Sequence, residues 1–424
     1  MKPDERVHFV GCGGAGMVGL ALLAAERGAR VSGSDIAGNA NTRTLEGLGV
    51  DVGIGHSCEN IPDGDSALLV RSSAVPEDNP EVEEARRRGW RVVRRGEFLA
   101  ETAERYEVVA AVAGSHGKTT VSAMLAHIAV SAGINPGYVV GGKISGWEQS
   151  AGAGDGGAFI AESDESDGTN ALLASDVLLL TGVDDDHAWN LGGRGALLAN
   201  FSDQARKARN ILYYPFPDDA EILGGHSNAL ALAPDAAVAA FSDMTEWGDY
   251  QRMNAFLAVE GAERLGIERS DAERLVRGFP GVARRMTLHL DDADFKLVED
   301  YAHHPAEVAA VLDAMRKRWP EYRLRVVFQP HRAARLAEHL EGFARELRGA
   351  DAVVVAPVFA AWTNTEGVGA EDLARAVGDA ATAVSGDWES IAAEIADNIY
   401  PPEVLAVLGA GDVEELIPLL KGTR

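Results

Sequence analysis

Two glycine-rich turns, "VGCGGAGMVG" at residues 10–19 and "AGSHGKTT" at residues 113–120, limit what this chain can fold into. Each leaves a short apolar run and enters an apolar helical stretch. That order sets the first N–H groups of a helix, and the positive end of its dipole, beside glycines that let an anion approach the backbone. A chain carrying two such turns predicts two open, largely parallel sheets, each with a ligand loop at the carboxyl end of a strand.

The rest of the sequence agrees. Strand-like runs alternate with amphipathic helical stretches over most of the length, so the fold class is α/β. "RVHFVGC", "GGAGMVGLALLAAERGA" and "RVSGSD" read as strand, helix, strand. A first block is expected to end before Glu107, giving limits of 1–106, 107–287 and 288–424. Residues 216–248 have no regular pattern and receive no assignment.

Composition narrows the partners. The chain has 424 residues and a formal net charge of −26, which argues against nucleic acid and anionic membrane surfaces. No apolar run reaches the roughly 18 residues of a membrane span. The opening residues show no secretion signal, and two cysteines give no disulfide framework, so a reducing cytoplasm is expected. In so acidic a chain, anionic substrates would depend on local Arg and Lys beside the glycine loops.

The first loop, Gly11-x-Gly13-x-x-Gly16, with Ala15 inside it and Asp35 closing the next strand, has the form of a dinucleotide fingerprint. Alone it would suggest a nicotinamide-dependent dehydrogenase. The second loop is Gly114-Ser115-His116-Gly117-Lys118-Thr119-Thr120, and it is shorter than the usual phosphate-loop spacing. It still supplies ringed N–H groups, a lysine charge and a threonine hydroxyl for Mg²⁺. "AESDESD" and "DDDH" follow strand-like runs and place Glu162, Asp164, Glu165, Asp167, Asp184, Asp185, Asp186 and His187 at strand ends. Most of these carboxylates read as solvated loops, and one or two as Mg²⁺ ligands. A dehydrogenase leaves the second loop and these clusters unexplained. Further on, "EDYAHHP" holds His303 and His304, and "FQPHRAAR" holds His331, Arg332 and Arg335. Arg332 and Arg335 are spaced to share a helix face as a carboxylate fork.

These segments, with "SSAVPEDNPE", "FPGVARR" and "GAGDV", stand in the order seen in the Mur ligase family, which the chain resembles over nearly its whole length. The resemblance implies three domains: an N-terminal Rossmann-like domain, a central P-loop ATPase-type parallel sheet, and a C-terminal Rossmann-like domain. It implies an ATP-dependent ligase that joins the carboxylate of UDP-N-acetylmuramate to L-alanine through an acyl phosphate. The first loop would then hold the UDP diphosphate, with Asp35 and Ser72 nearby, and the second would hold ATP. By the same resemblance Thr119 and Glu162 bind Mg²⁺, His187 binds a second Mg²⁺, and Lys118 neutralises the transferring phosphoryl group. Asn254 lies on the adenine side, Arg284 or Arg285 reaches the phosphates, and His303, His304, His331, Arg332 and Arg335 serve the amino acid. A monomer or weak homodimer is expected.

The sequence departs from the family pattern in places. Tyr250 and Gln251 precede Asn254 where His-Asn is usual, Gly182 stands where Asn is usual, and Met286 replaces a Phe. Residues 190–248 are shorter than the family's. A ligase with another acid or acceptor, or a silent nucleotide-binding relative, are the alternatives these departures raise.

Overall fold

The computed structural model describes residues 4–64, 67–184, 191–360 and 367–422. The chain divides into two compact units, residues 1–241 with 253–280, and residues 242–252 with 281–424. Among the described residues no helix is long and apolar enough to cross a membrane.

The first unit contains two sheets. Strands β1 (Arg6–Val10), β2 (Arg30–Asp35), β3 (Asp51–Ile54), β4 (Leu68–Arg71) and β5 (Arg91–Arg94) form a parallel sheet of order β3-β2-β1-β4-β5. The chain order reverses at β1, and the first glycine loop leaves that strand. In open α/β sheets this crevice is where ligands bind. The second sheet has seven strands: β6 (Val108–Ala113), β7 (Gly137–Val139), β8 (Ala151–Gly152), β9 (Ala158–Glu162), β10 (Ser175–Leu180), β11 (Ala208–Tyr213) and β12 (Ala229–Ala231). Their order is β12-β11-β10-β6-β9-β7-β8, and only the β7–β8 pair is antiparallel. Strand β6 lies between β9 and β10, so the second glycine loop is flanked by the carboxyl ends of both.

The helix Ala15–Glu26 joins these two sheets. Met17 to Ala24 are all buried in it. A helix apolar on every side has to be covered on every side, and this one is. It packs on its own sheet and also meets the second: a Cβ at Gly19 would lie 3.2 Å from Val139 and 3.4 Å from Ala151. Leu20, Leu22 and Leu23 share one core with Phe159 and Leu178. Each such leucine stabilises the unit by about 1.5–3 kcal/mol. Nearby, Tyr106 stacks on Phe159 with ring centroids 4.6 Å apart, and the Arg27 guanidinium lies 4.6 Å from the Tyr106 ring centroid.

The second unit contains β13 (Thr287–Asp291), β14 (Phe295–Asp300), β15 (Arg323–Phe328), β16 (Ala352–Val355), β17 (Ala381–Ala383) and β18 (Glu403–Leu408). The order is β13-β14-β18-β15-β16-β17, parallel except for the β13 edge. Residues 216–248, which had no sequence pattern, contain the short helices Asp219–Leu223 and Pro234–Ala240 and the edge strand β12.

One buried polar network holds the first sheet to its helices. Glu81 is 0% exposed and accepts hydrogen bonds from His8 Nε2 at 2.8 Å, Ser34 Oγ at 2.7 Å, His56 Nδ1 at 3.0 Å and Asn60 Nδ2 at 3.2 Å. Burial opposes ionisation, but the His8 and Ser34 hydrogen bonds outweigh it and hold the carboxyl below its ordinary 4.5. A carboxyl depressed by folding stabilises fully above its unfolded value and loses that contribution as pH falls through its folded value. Glu81→Ala should therefore destabilise the first unit by about 3 kcal/mol at neutral pH, since it strands several buried donors. The loss should shrink below the unfolded value of 4.5. Thermal unfolding between neutral and acidic pH measures this, and an unchanged neutral midpoint contradicts it.

Candidate active site: two glycine loops joined by an acidic run

The first loop is braced from within. Gly13 N–H donates to Asp35 Oδ2 at 2.8 Å, while Asn41 Nδ2 donates to Gly13 O at 2.8 Å. Asp35 thus supports the loop backbone. The glycines have different reasons. Gly11 has φ +79° and its missing Cβ would meet Ser72 Cβ at 2.9 Å; that of Gly13 would meet Asn39 Nδ2 at 2.6 Å. At Gly16 the neighbour is Arg95, whose Nη1 would lie 3.2 Å from a Cβ. Ala15 and Gly16 open the helix, where N–H groups have no intrahelical acceptor. Loop residue Cys12 is buried, and burial with nearby Asp35 pushes its thiol up to about 12, which disfavours the thiolate.

The second loop wraps the end of β6. Gly114 has φ +126°, and a Cβ there would lie 2.3 Å from Thr181 Oγ1 and 2.6 Å from Gly182 O. Ser115 N–H donates to Gly182 O at 2.8 Å, and Ser115 Oγ accepts from Asp184 N–H at 2.9 Å. His116 Nε2 pairs with Asp184 Oδ2 at 2.5 Å. Gly117, φ +82°, caps the helix Lys118–Ser131, and its missing Cβ would lie 3.0 Å from Asn254 Oδ1. Thr120 is buried at the helix start.

Lys118 Nζ donates to Gly114 O at 2.6 Å, Ser115 O at 3.2 Å and Glu165 Oε1 at 3.0 Å. Burial works against the ammonium, but Glu165 and Asp164 outweigh it and hold Lys118 above the ordinary lysine range. Burial likewise pushes Glu165 up to about 7, against the pull of Lys118. One residue earlier, Asp164 Oδ2 accepts from Arg95 Nη2 at 3.1 Å. Two adjacent carboxylates thus face two cations, one over the first loop and one inside the second.

Thr119 Oγ1 donates to Glu162 Oε1 at 2.8 Å, and Gly141 N–H donates to Glu162 Oε2 at 2.6 Å. A Cβ at Gly141 would lie 2.7 Å from that carboxylate, which explains the glycine. A hydroxyl and a carboxylate oxygen side by side are hard donors of the kind Mg²⁺ takes. His187, expected at a second metal, lies outside the described residues, as do Asp185 and Asp186.

The second unit holds the other expected residues. Arg284, at φ +60°, pairs with Glu299 at 2.9 Å and Glu414 at 2.8 Å, and donates to Gly409 O at 2.8 Å and Gly411 O at 3.0 Å. Its guanidinium is occupied within its own unit. Arg285 lies 3.7 Å from Glu307, and its guanidinium lies over Tyr301. Buried Asp300 accepts from Met286 N–H at 2.7 Å and Ala302 N–H at 2.8 Å, fixing the bend that carries both arginines. His304 caps the helix Pro305–Arg318, and His303 N–H donates to Glu307 at 2.9 Å. His331 stacks on Phe359 at 5.5 Å, and it meets the His303 ring edge-on at 5.9 Å. Burial, then the charges of His303 and Arg332, push His331 well below the ordinary histidine range, which favours the neutral ring. Arg332 and Arg335 do not share a helix face as their i,i+3 spacing predicts. Arg332 precedes the helix Ala333–Leu347 as its N-cap, at φ +67°, because its N–H is tied to Phe359 O at 2.8 Å. Arg335 lies in the helix and is buried.

Sequence reasoning missed Arg95, Gly141, Thr181 and Asp300. Each acts on a partner distant in sequence, and neither their type nor their spacing singles them out.

Comparison with known proteins adds a second line. The description "Mur ligase family, catalytic domain" matches residues 6–107, and "Mur ligase, glutamate ligase domain" matches residues 284–411. The UDP-N-acetylmuramate–L-alanine ligase of Halorhodospira halophila is 34% identical, covering 99% of this chain and 93% of its own length. The enzyme of the same name from Geobacter sp. strain M21 is 35% identical, covering 96% of this chain and 95% of its own. The crystal structure of UDP-N-acetylmuramate–alanine ligase from Thermotoga maritima superposes with a TM-score of 0.81 at 24% identity, covering 98% of each chain.

Gly114→Ala should weaken ATP binding at least about tenfold while leaving the circular dichroism spectrum unchanged. The substitution adds strain of order 1–3 kcal/mol and the contacts described. Titration with a non-hydrolysable ATP analogue measures it. An affinity equal to wild type removes the loop from the nucleotide site.

Proposed function

The chain belongs to the Mur ligase family, and we propose that it joins the carboxylate of UDP-N-acetylmuramate to the amino group of L-alanine at the expense of ATP. The observation that carries this reading is the Thr119–Glu162 pair, 2.8 Å apart, beside Lys118 in a unit that also holds a second glycine loop. A kinase would require one nucleotide loop. A ligase that takes a nucleotide-linked acid requires two. The full-length relatives named for this activity support the same choice of acid and amine.

In this reading residues 1–106 bind the UDP-sugar, 107–287 bind ATP, and 288–424 bind the amino acid. Gly11, Gly13, Ala15, Gly16 and Ser72 form the diphosphate site, and Asp35 keeps its loop in shape. Gly114 to Thr120 cradle the ATP phosphates, with Asn254 against the loop. Thr119 and Glu162 would hold Mg²⁺, which would supply charge neutralisation to the phosphoryl group being transferred. His187 keeps its proposed place at a second Mg²⁺. Arg284 or Arg285 reaches the nucleotide phosphates.

The chemistry follows from the weakness of a carboxylate as an electrophile. Its oxygen attacks the γ-phosphorus, the bond to ADP breaks, and an acyl phosphate forms. Lys118, held in place by the loop carbonyls and Glu165, neutralises the transferring group. The amine then attacks the acyl carbon, loses a proton, and phosphate departs from the tetrahedral intermediate. His331, Arg332 and Arg335, with His303 and His304 beside them, bind the amino acid and its carboxylate. The protein acts in the cytoplasm as a monomer or weak homodimer.

Phosphate release from ATP should require both UDP-N-acetylmuramate and an amino acid, with L-alanine preferred over a panel of others. Release with a different amino acid only, or with none, rejects the assignment. Lys118→Ala should lower kcat by about a hundredfold or more, and Arg335→Ala should chiefly raise the amino-acid KM.

A further inference from the structure

Arg95 has no part in the expected machinery, yet it stands where the two loops meet. It is 8% exposed, and it opens the helix Arg95–Ala103 that follows the first sheet. Its side chain covers Gly16 of the first loop, whose missing Cβ would lie 3.1 Å from Cδ and 3.2 Å from Nη1. At the other end Nη2 donates to Asp164 at 3.1 Å and lies 4.0 Å from Asp167. Among the described residues Nη2 alone is engaged, which leaves Nε and Nη1 on the side of Gly16. Those two donors stand beside the loop glycine, where an anion held at the first loop would meet them.

The surroundings indicate which acceptor. From the first loop the chain of contacts runs through Arg95 to Asp164, to adjacent Glu165, and on to Lys118 in the second loop. An acid anchored at the first loop has to cross this line to meet a phosphoryl group at the second. On the way it faces Asp164 and Glu165, and like charges repel. Arg95 is the cation at that crossing, and its planar fork matches a carboxylate. Asp164 is also held by Ser166, through Oγ at 2.7 Å and N–H at 3.2 Å. It stays in place if the guanidinium turns toward a ligand.

We propose that Arg95 binds the carboxylate of the sugar nucleotide and steers it from the first loop toward Lys118. This rests on the ligase reading above and adds a specificity residue to it. Arg95→Ala should raise the KM for UDP-N-acetylmuramate about tenfold or more, as loss of a charge-assisted fork would. The KM for ATP should hold. The inhibition constant of UDP-N-acetylglucosamine, which has the sugar and diphosphate but no lactyl carboxylate, should also hold. Arg95→Lys should recover part of the loss, and it replaces the alanine variant if that one does not fold. Asp164→Asn should not reproduce the pattern.

Equal weakening of both sugar nucleotides would overturn the proposal by placing Arg95 on the diphosphate. An unchanged KM, or an Asp164→Asn variant that behaves like Arg95→Ala, would overturn it in favour of a purely structural bridge. Calorimetric binding of UDP-N-acetylmuramate to the wild type separates the two levels. Binding without turnover rejects the ligase reading while the Arg95 comparison still stands on affinity. Absence of binding rejects both.

Discussion

The adjacent carboxylates of Asp164 and Glu165, held between Arg95 and Lys118, are the contact on which the site depends. Neither glycine loop accounts for ligase chemistry alone. One can anchor a nucleotide handle and the other can present a phosphoryl donor, but the reacting atoms must meet. The acidic run sets a strip of negative charge between the loops and a cation at each end of it. Glu165 is fully buried, so removing Lys118 would leave an uncompensated group in a low-dielectric setting. The strip therefore maintains the lysine that the phosphate loop requires.

That arrangement needs the two sheets to keep a fixed relation within the first unit, and the helix Ala15–Glu26 supplies it. A helix apolar all round can be stable only between two layers. Burying it fixes the first loop, at its N-terminus, against the second sheet. Gly19 permits the close approach on one side and Gly96, whose Cβ would meet Thr169 Oγ1 at 1.8 Å, permits it at the next helix. These glycines are packing devices, whereas Gly114 and Gly117 are conformational ones, required by left-handed φ values.

Much of this was legible in the residues. Strand and helix periodicity and the two loops follow from local pattern, and the family resemblance implied the pairing of Thr119 with Glu162. What was not legible depends on long-range contact. Asp35 ends its strand where a ribose ligand would be expected, and only the fold shows that it takes the Gly13 N–H. Gly16 reads as an anion-loop glycine, and the fold shows the Arg95 side chain over it. Arg332 and Arg335 have helical spacing, but a bond from Arg332 N–H to Phe359 O pulls the first of them out of the helix. The pairing of Arg284 with Glu299, Glu414 and the Gly409 turn joins residues far apart in sequence, which no motif reveals.

The central claim is that the two glycine loops hold different nucleotides at the same time. Calorimetric titration of UDP-N-acetylmuramate into the protein, alone and after saturation with a non-hydrolysable ATP analogue and Mg²⁺, tests it directly. The account predicts one site per chain in both titrations, with the analogue bound throughout. Displacement of either nucleotide by the other would contradict it.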